Sequence, residues 1–291
     1  MSVIANFEAG PQSLSLHLVT ENPTEAMLSY AGSLEKRYGC KVTVYNIGEH
    51  KAAIETLIAE SGIEFGYWSK ATFFRLLLPS ILPLDIMKIL YLDSDVIVLR
   101  DVSEVFAFEM HGALAAGVRD PSEPKDSVRI GTKQYFNAGV LLMRLDLWRE
   151  NEIASKCFDY LADPEKSKLY LDQDAINYVL QDSIYGLSKE WNTQVTNSFT
   201  ATDQLLSNLR QYIFILHYVT SDKPWHAWYK SPFGEYYWHY LTVSPWKHIL
   251  TESPKTINEY RLMAIKHSEA GRLTDAIAIY KKIVDHFVLK K

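Results

Sequence analysis

Apolar and polar positions follow two different periods along the first third of the chain. SLSLHLVT alternates as a strand does, PTEAMLSYAGSLEKRYG carries apolar residues at helical spacing as far as Gly39, and CKVTVYNI returns to the strand period. That order predicts a βαβ unit. A helix over SKATFFRLLLPSIL then leads to KILYLDSDVIVL, whose nearly continuous apolar run predicts a buried parallel strand interrupted only by its central acids. GALAAGVRD and YFNAGVLLMRL predict further strands, and LDQDAINYVLQD predicts a helix with carboxylates in its first turn. Strands alternating with helices give an α/β fold with a Rossmann-like open sheet as its default architecture.

The pattern changes after Pro254. TINEYRLMAIKHSEAGRLTDAIAIYKKIVDHF has apolar residues at helical spacing on both sides of Gly271, which predicts a C-terminal helical hairpin. EAGRLTDAIAIYKKIV also resembles one unit of a tetratricopeptide repeat, although a single unit cannot build an array. The expected division is a main domain over 1–250 and a helical appendage over 255–291.

Composition narrows the class. With 291 residues, 47% hydrophobic and 22% charged, the chain can bury one large α/β core. Its formal charge of −5 gives no electrostatic footprint for nucleic acid, so a polyphosphate ligand would need a recruited cation or a few focused basic groups. Cys40 and Cys157 lie far apart without metal-ligand spacing, which suits core thiols in a reducing compartment. MSVIANFEAG lacks the basic start and long apolar run of a secretory signal, and no stretch reaches the roughly 18 apolar residues of a membrane span. The expected location is cytoplasmic, with a peripheral place at the inner face of the membrane as a second option. Aromatic residues crowd between Tyr212 and Trp246, where they can grip sugar faces, meet a membrane interface or form the edge of a core.

Asp93 and Asp95 flank Ser94 at the expected carboxyl end of a strand, where ligand crevices of open α/β sheets form. Two carboxylates in apolar surroundings cost several kcal/mol by desolvation if unpaired, so a bound cation or strong donors must compensate them. Hard cations suit carboxylate and phosphate oxygens, and Mn²⁺ also accepts an imidazole. Without the apolar setting, the same acids in a surface loop would be a solvated turn.

Several ordered blocks sharpen this reading: ATFFRLLLPSIL, KILYLDSDVIVL, YFNAGVLLMRLDLW, YLDQDAINYVL, and WN followed by HYVTSDKPWH, spanning Ser13 to Trp228. They resemble glycosyltransferase family 8, the retaining, metal-dependent sugar transferases that include glycogenin and bacterial lipopolysaccharide galactosyl- and glucosyltransferases. The resemblance implies a nucleotide-diphospho-sugar transferase fold of the GT-A type with a mixed sheet. It implies Asp93, Asp95 and His217 as ligands of Mn²⁺ or Mg²⁺, with Ser94 between the acids on the substrate. Lys223 would neutralise diphosphate oxygens, and Arg75 would fork onto the donor sugar or the acidic pair. Asn137, Ala138 and Gly139 would form a sugar-contacting turn, and Asp172 and Gln173 would face the transferred hexose as the catalytic residues. Asp174 either joins them or caps the helix, and Asp120 either touches sugar or is a turn aspartate before proline. Thr220 stands where many relatives have glycine near the diphosphate.

The implied reaction moves galactose or glucose from a UDP-hexose to a glycan or lipid-linked saccharide, as in lipopolysaccharide biosynthesis, with no nucleic-acid partner. Gln173 is a poor nucleophile, so retention points to front-face substitution in which the leaving phosphate takes the acceptor's proton. One departure concerns the N-terminus. A strand and loop resembling FAADDNY, which hold uracil and ribose in the family, have no counterpart, and MSVIANFEAGPQSLSLHLV aligns with the end of the first helix and the second strand. The expectation is a chain beginning one βα unit late, through a translation start assigned too far downstream, a natural truncation with impaired activity, or an element supplied differently. The rival functions are therefore a non-catalytic interaction protein and, more weakly, a nucleotide-sugar hydrolase.

Overall fold

The computed structural model describes residues 1–50, 55–56, 70–198 and 211–285. They fall into two compact units. The larger comprises Val3–Ser94 and Val98–Asn192, and the smaller comprises Met1–Ser2, Asp95–Ile97 and Thr193–Lys291.

The larger unit opens with the expected βαβ unit. Strand β1 (Ser15–Thr20), helix α1 (Glu25–Tyr38) and strand β2 (Lys41–Asn46) follow in order, and β1 and β2 pair in parallel as a two-stranded sheet. Thr24 caps α1 by accepting from Met27 N, and Gly39 ends it in the left-handed region at φ 74°, where a residue without Cβ is unstrained. Helix α2 (Phe74–Ile81) leads to β3 (Lys88–Leu92). β5 (Ala115–Arg119), α3 (Lys125–Ile130) and β6 (Phe136–Arg144) come next, followed by α4 (Leu145–Glu150), α5 (Ile153–Ala162), α6 (Asp172–Leu180) and β7 (Ile184–Gly186). Their sheet has the order β3-β6-β5-β7, with β6 antiparallel to both neighbours and β5 parallel to β7. The sheet is mixed, as expected.

β6 is the spine of this unit. All of its residues except Arg144 are buried, and Leu141 and Met143 join Phe73, Leu76, Trp148 and Ile176 in the core. A Cβ on Gly117 would stand 2.9 Å from the tip of the Leu141 side chain, which would have to shift to admit it.

KILYLDSDVIVL departs from expectation. It forms two strands, β3 and β4 (Val96–Val98), broken at the acids, and β3 is antiparallel to β6 with every residue half-buried. A short apolar run does not distinguish a buried parallel strand from a half-exposed antiparallel one, because periodicity is silent on the partner.

In the smaller unit β4 lies beside β9 (Ile215–Tyr218), which pairs in parallel with β8 (Thr193–Val195). Helix α7 (Gly234–Thr242) follows, and then the expected helical pair α8 (Ile257–Glu269) and α9 (Leu273–Ile283). A capping box between Thr256 and Glu259 starts α8, and Gly271 at φ 73° turns the chain between the helices. Lys266 Nζ donates to Ala227 O at 2.8 Å and Lys230 pairs with Glu269, tying the hairpin to the rest of this unit. Residues 286–291 of the appendage lie outside the described residues. Cys40 and Cys157 are free and buried. Among the described residues no helix is long and apolar enough to cross a membrane.

Candidate functional site

In the larger unit, acids and one guanidinium converge at the end of β3. Tyr91 and Asp93 are two residues apart and so emerge on the same side of the extended chain. The Tyr91 hydroxyl donates to Asp93 Oδ1 at 2.6 Å, and Arg75 Nη2 reaches the same oxygen at 3.0 Å. Arg75 Nε stands 2.7 Å from Asp172 Oδ2, its Nη1 donates to Ala138 O, and its guanidinium lies 4.7 Å from the centre of the Tyr91 ring. Arg75 is buried because α2 presents TFFRLL to the core rather than to water. Asp172 is also buried and accepts from the Thr72 hydroxyl. Burial pushes its carboxyl up to about 6, with Arg75 and Thr72 pulling down and Asp93 adding to the rise.

A second network joins β6 to α6. Asn137 Nδ2 donates to Asp120 Oδ2 at 3.1 Å, while Asn137 Oδ1 accepts from Gly139 N at 3.0 Å and from Asn192 Nδ2 at 2.9 Å. Asn137, Ala138 and Gly139, expected as a turn, lie within strand β6, and there Ala138 N donates to Gln173 Oε1 at 2.9 Å, so the strand and the glutamine hold each other. Asp120 Oδ1 accepts from Ser122 N and Ser122 Oγ, the turn geometry expected of an aspartate before proline, while Oδ2 serves Asn137. Leu171, immediately before Asp172 and Gln173, has φ 45° and ψ −116°, a conformation that non-glycine residues adopt only under strain.

Asp174 belongs to the helix start and not to this network. It is fully buried and accepts from Arg129 through both oxygens, at 2.7 and 2.8 Å, from the Tyr135 hydroxyl and from Tyr170 N. From the first turn of α6 it reaches back to Tyr170 N, one residue before Leu171, which starts the helix without a side-chain cap.

The smaller unit contributes a compact group on β4 and β9. Tyr218 N donates to Asp95 O at 3.0 Å, and buried His217 places Nε2 3.3 Å from Asp95 Oδ1. Lys223 Nζ reaches Asp95 Oδ2 at 2.6 Å. Burial of Asp95 alone would raise its carboxyl, but His217 and Lys223 outweigh it and hold the group well below the ordinary range. Asp95 Oδ1 is buried, with His217 Nε2 3.3 Å away as an ion-pair partner and no hydrogen bond closer than that. An ionised, partly orphaned carboxylate oxygen beside an imidazole nitrogen is a donor set that fits a divalent cation. Asp93 and Asp95 are separated in the chain by Ser94 alone, and Ser94 is exposed. Thr220 is exposed and sits at φ 73°, the backbone conformation for which glycine is suited.

Sequence reading passed over Tyr91, Thr72, Asn192 and Arg129. The two-residue spacing of Tyr91 and Asp93 was an available signal, and Asn192 was in view as part of WN. Thr72 is 100 residues from Asp172 and Arg129 is 45 from Asp174, separations that no local pattern bridges.

The family model described as glycosyl transferase family 8 matches residues 2–229. The chain belongs to that family. It is a glycosyltransferase, similar to lipopolysaccharide 1,2-glucosyltransferase of Escherichia coli (strain K12), with 29% identity over 259 residues, 86% of this chain and 75% of the relative. Lipopolysaccharide 1,3-galactosyltransferase of Salmonella typhimurium (strain LT2) is 27% identical over 291 residues, covering 96% of this chain and 84% of the relative. Among solved structures, galactosyltransferase LgtC with donor and acceptor sugar analogues superposes with a TM-score of 0.67 at 22% identity, over 84% of this chain and 91% of LgtC. That likeness establishes the family 8 fold, with its mixed α/β architecture.

Proposed function

We propose that this glycosyltransferase is a retaining hexosyltransferase that moves galactose or glucose from a UDP-sugar onto a saccharide of the lipopolysaccharide type, assisted by Mn²⁺ or Mg²⁺. The observation that carries the reading is Asp95, held ionised between His217 and Lys223 with its buried Oδ1 facing His217 Nε2 at 3.3 Å, in a family 8 chain. The relatives' names, which specify lipopolysaccharide glucosyl and galactosyl transfer, support the acceptor class and the hexose.

Asp93, Asp95 and His217 are the residues that would hold the cation. When bound, it neutralises negative charge building on the departing diphosphate. The chain's own groups do the remainder. Lys223, held by Asp95 Oδ2 and the Tyr218 carbonyl, turns its ammonium to diphosphate oxygens when donor arrives, so its charge acts where negative charge develops. Arg75 stays buried between Asp93 and Asp172 and keeps those carboxylates in place. Asn137 and Ala138 on β6, with Asp120 hydrogen-bonded to Asn137, form the surface against which the donor hexose rests, and Thr220 borders the diphosphate. Exposed Ser94 lies on the substrate side between the acids, and Asp174 supports the substrate-facing start of α6 through Tyr170 N and Arg129.

Gln173 Oε1, oriented by Ala138 N, stabilises positive charge at the anomeric carbon, while Asp172 sets the field around it. The anomeric C–O bond to phosphate breaks as the acceptor oxygen bonds to the same face, and a leaving phosphate oxygen takes the acceptor's proton. Exposed Trp246, Ile249 and Leu250 beside Lys247 support a peripheral place at the cytoplasmic face of the membrane, where lipid-linked acceptors are held.

The test is the anomeric configuration of the product from UDP-galactose or UDP-glucose, read by NMR coupling constants. An axial linkage from these axial donors supports retention, and an equatorial product contradicts it. Gln173→Ala is expected to cut kcat by about a hundredfold, and a rate within a fewfold of wild type would count against the front-face role.

A further inference from the structure

Tyr91 is the residue nearest the acidic pair with no assigned part, and it makes two separate contacts there. We infer that Tyr91 is a positioning residue for the first carboxylate of the pair: its hydroxyl aims Asp93, and its ring holds Arg75 against that same carboxylate. The inference rests on the metal reading above and deepens it.

An aspartate carboxylate turns through a broad torsion about its last bond, so a single contact does not orient it. Here the Tyr91 hydroxyl at 2.6 Å and Arg75 Nη2 at 3.0 Å converge on Oδ1 from different directions, and the Asp93 backbone N donates to Gly139 O at 2.8 Å. Tyr91 is itself anchored, because it pairs with Leu141 in the β3–β6 ladder. The Arg75 guanidinium is drawn towards Asp172 as well, at 2.7 Å. The Tyr91 ring, 4.7 Å beneath it, favours the position between the two acids over full transfer to Asp172. Groups that hold a ligating carboxylate from behind typically change metal affinity by about 10–100-fold.

Tyr91→Phe removes the hydroxyl and keeps the ring, whereas Tyr91→Leu removes both. Mn²⁺ binding to the full chain without nucleotide, followed through the EPR signal of aqueous Mn²⁺, reads the effect directly, with Asp95→Ala as the reference for loss of the site. Tyr91→Phe should weaken Mn²⁺ by about tenfold, Tyr91→Leu should weaken it further, and saturating Mn²⁺ should return kcat of Tyr91→Phe to within about twofold of wild type. Recovery at high Mn²⁺ is a signature that general loosening of β3 would not give. If wild type binds Mn²⁺, Asp95→Ala does not and Tyr91→Phe binds like wild type, the role of Tyr91 is overturned and the metal reading stands. If wild type and Asp95→Ala are alike, the metal reading fails first. Should Tyr91→Leu not fold, Tyr91→Phe decides alone.

Discussion

Lys223 Nζ stands 2.6 Å from Asp95 Oδ2, so the lysine assigned to the donor diphosphate is held in this structure by an acidic-pair carboxylate. Both side chains are largely buried, which makes the pair sensitive to loss of either member. Lys223→Met should cost about 1–3 kcal/mol of stability at pH 7 and lower kcat by about a hundredfold. The folded Asp95 carboxyl lies below its ordinary value, so the stability it contributes is present above the unfolded value and is lost as pH falls. The gap in melting temperature between wild type and Lys223→Met should therefore narrow as pH is taken below about 4. A gap that stays constant down to low pH would mean that the ion pair is not its source.

Asp172 has the opposite sign. Its folded value, about 6, exceeds the ordinary carboxyl value, so its ionisation opposes folding by about 3 kcal/mol once pH is above 6. That penalty disappears as pH falls from 6 towards 4. Asp172→Asn should gain stability relative to wild type as pH rises across this window, measured by chemical denaturation at pH 4, 5, 6 and 7. A difference independent of pH would show that Asp172 is not perturbed.

Thr220 adopts φ 73° with a β-branched side chain exposed to solvent. Left-handed backbone costs such a residue roughly 1–2 kcal/mol, of which glycine's greater freedom in the unfolded chain returns part. Thr220→Gly should remove that backbone cost together with the interaction the threonine makes, leaving a melting temperature within about 2 °C of wild type, and Thr220→Val should give no gain. A larger fall for the glycine variant would show that the interaction outweighs the backbone cost.

Arg149 donates to the carbonyls of Pro79, Leu82, Pro83, Leu84 and Ile86, fastening the turn that joins α2 to β3. A lysine cannot reproduce this planar set of donors. Arg149→Lys should therefore destabilise by about 2–4 kcal/mol while leaving KM for donor within about twofold below the melting transition. A large KM change at full folding would show that the turn communicates with the site.

Asn192 donates to Asn137 Oδ1 and, together with Gly139 N and Asp120 Oδ2, fixes which way the Asn137 amide points. Asn192→Ala should raise donor KM by about threefold, because the amide is then held by two partners in place of three. An unchanged KM would remove Asn137 from donor contact.

Legibility in the sequence followed the range of the interaction. YFNAGVLLMRL announced β6 because a strand buried on both faces is apolar throughout, and the Gly39 and Gly271 turns were marked by glycine itself. Arg75 could be placed in the interior because its neighbours on α2 are apolar. KILYLDSDVIVL was misread because one apolar run conceals a break between two strands and does not name its partner. Asp174 is ambiguous for a similar reason: a first-turn acid can cap or catalyse, and its partners Arg129 and Tyr135 are distant in sequence. The acids of the site could be seen in the sequence. The donors that aim them, Tyr91 on Asp93 and Thr72 on Asp172, required the fold.

The most direct measurement is UDP release from UDP-galactose and UDP-glucose with a lipopolysaccharide-core oligosaccharide, for wild type and Asp95→Ala, in Mn²⁺ and in EDTA. A metal-assisted hexosyltransferase gives acceptor-dependent UDP release in Mn²⁺ that EDTA abolishes and Asp95→Ala lacks. Equal release with and without EDTA, or full activity in Asp95→Ala, would contradict it.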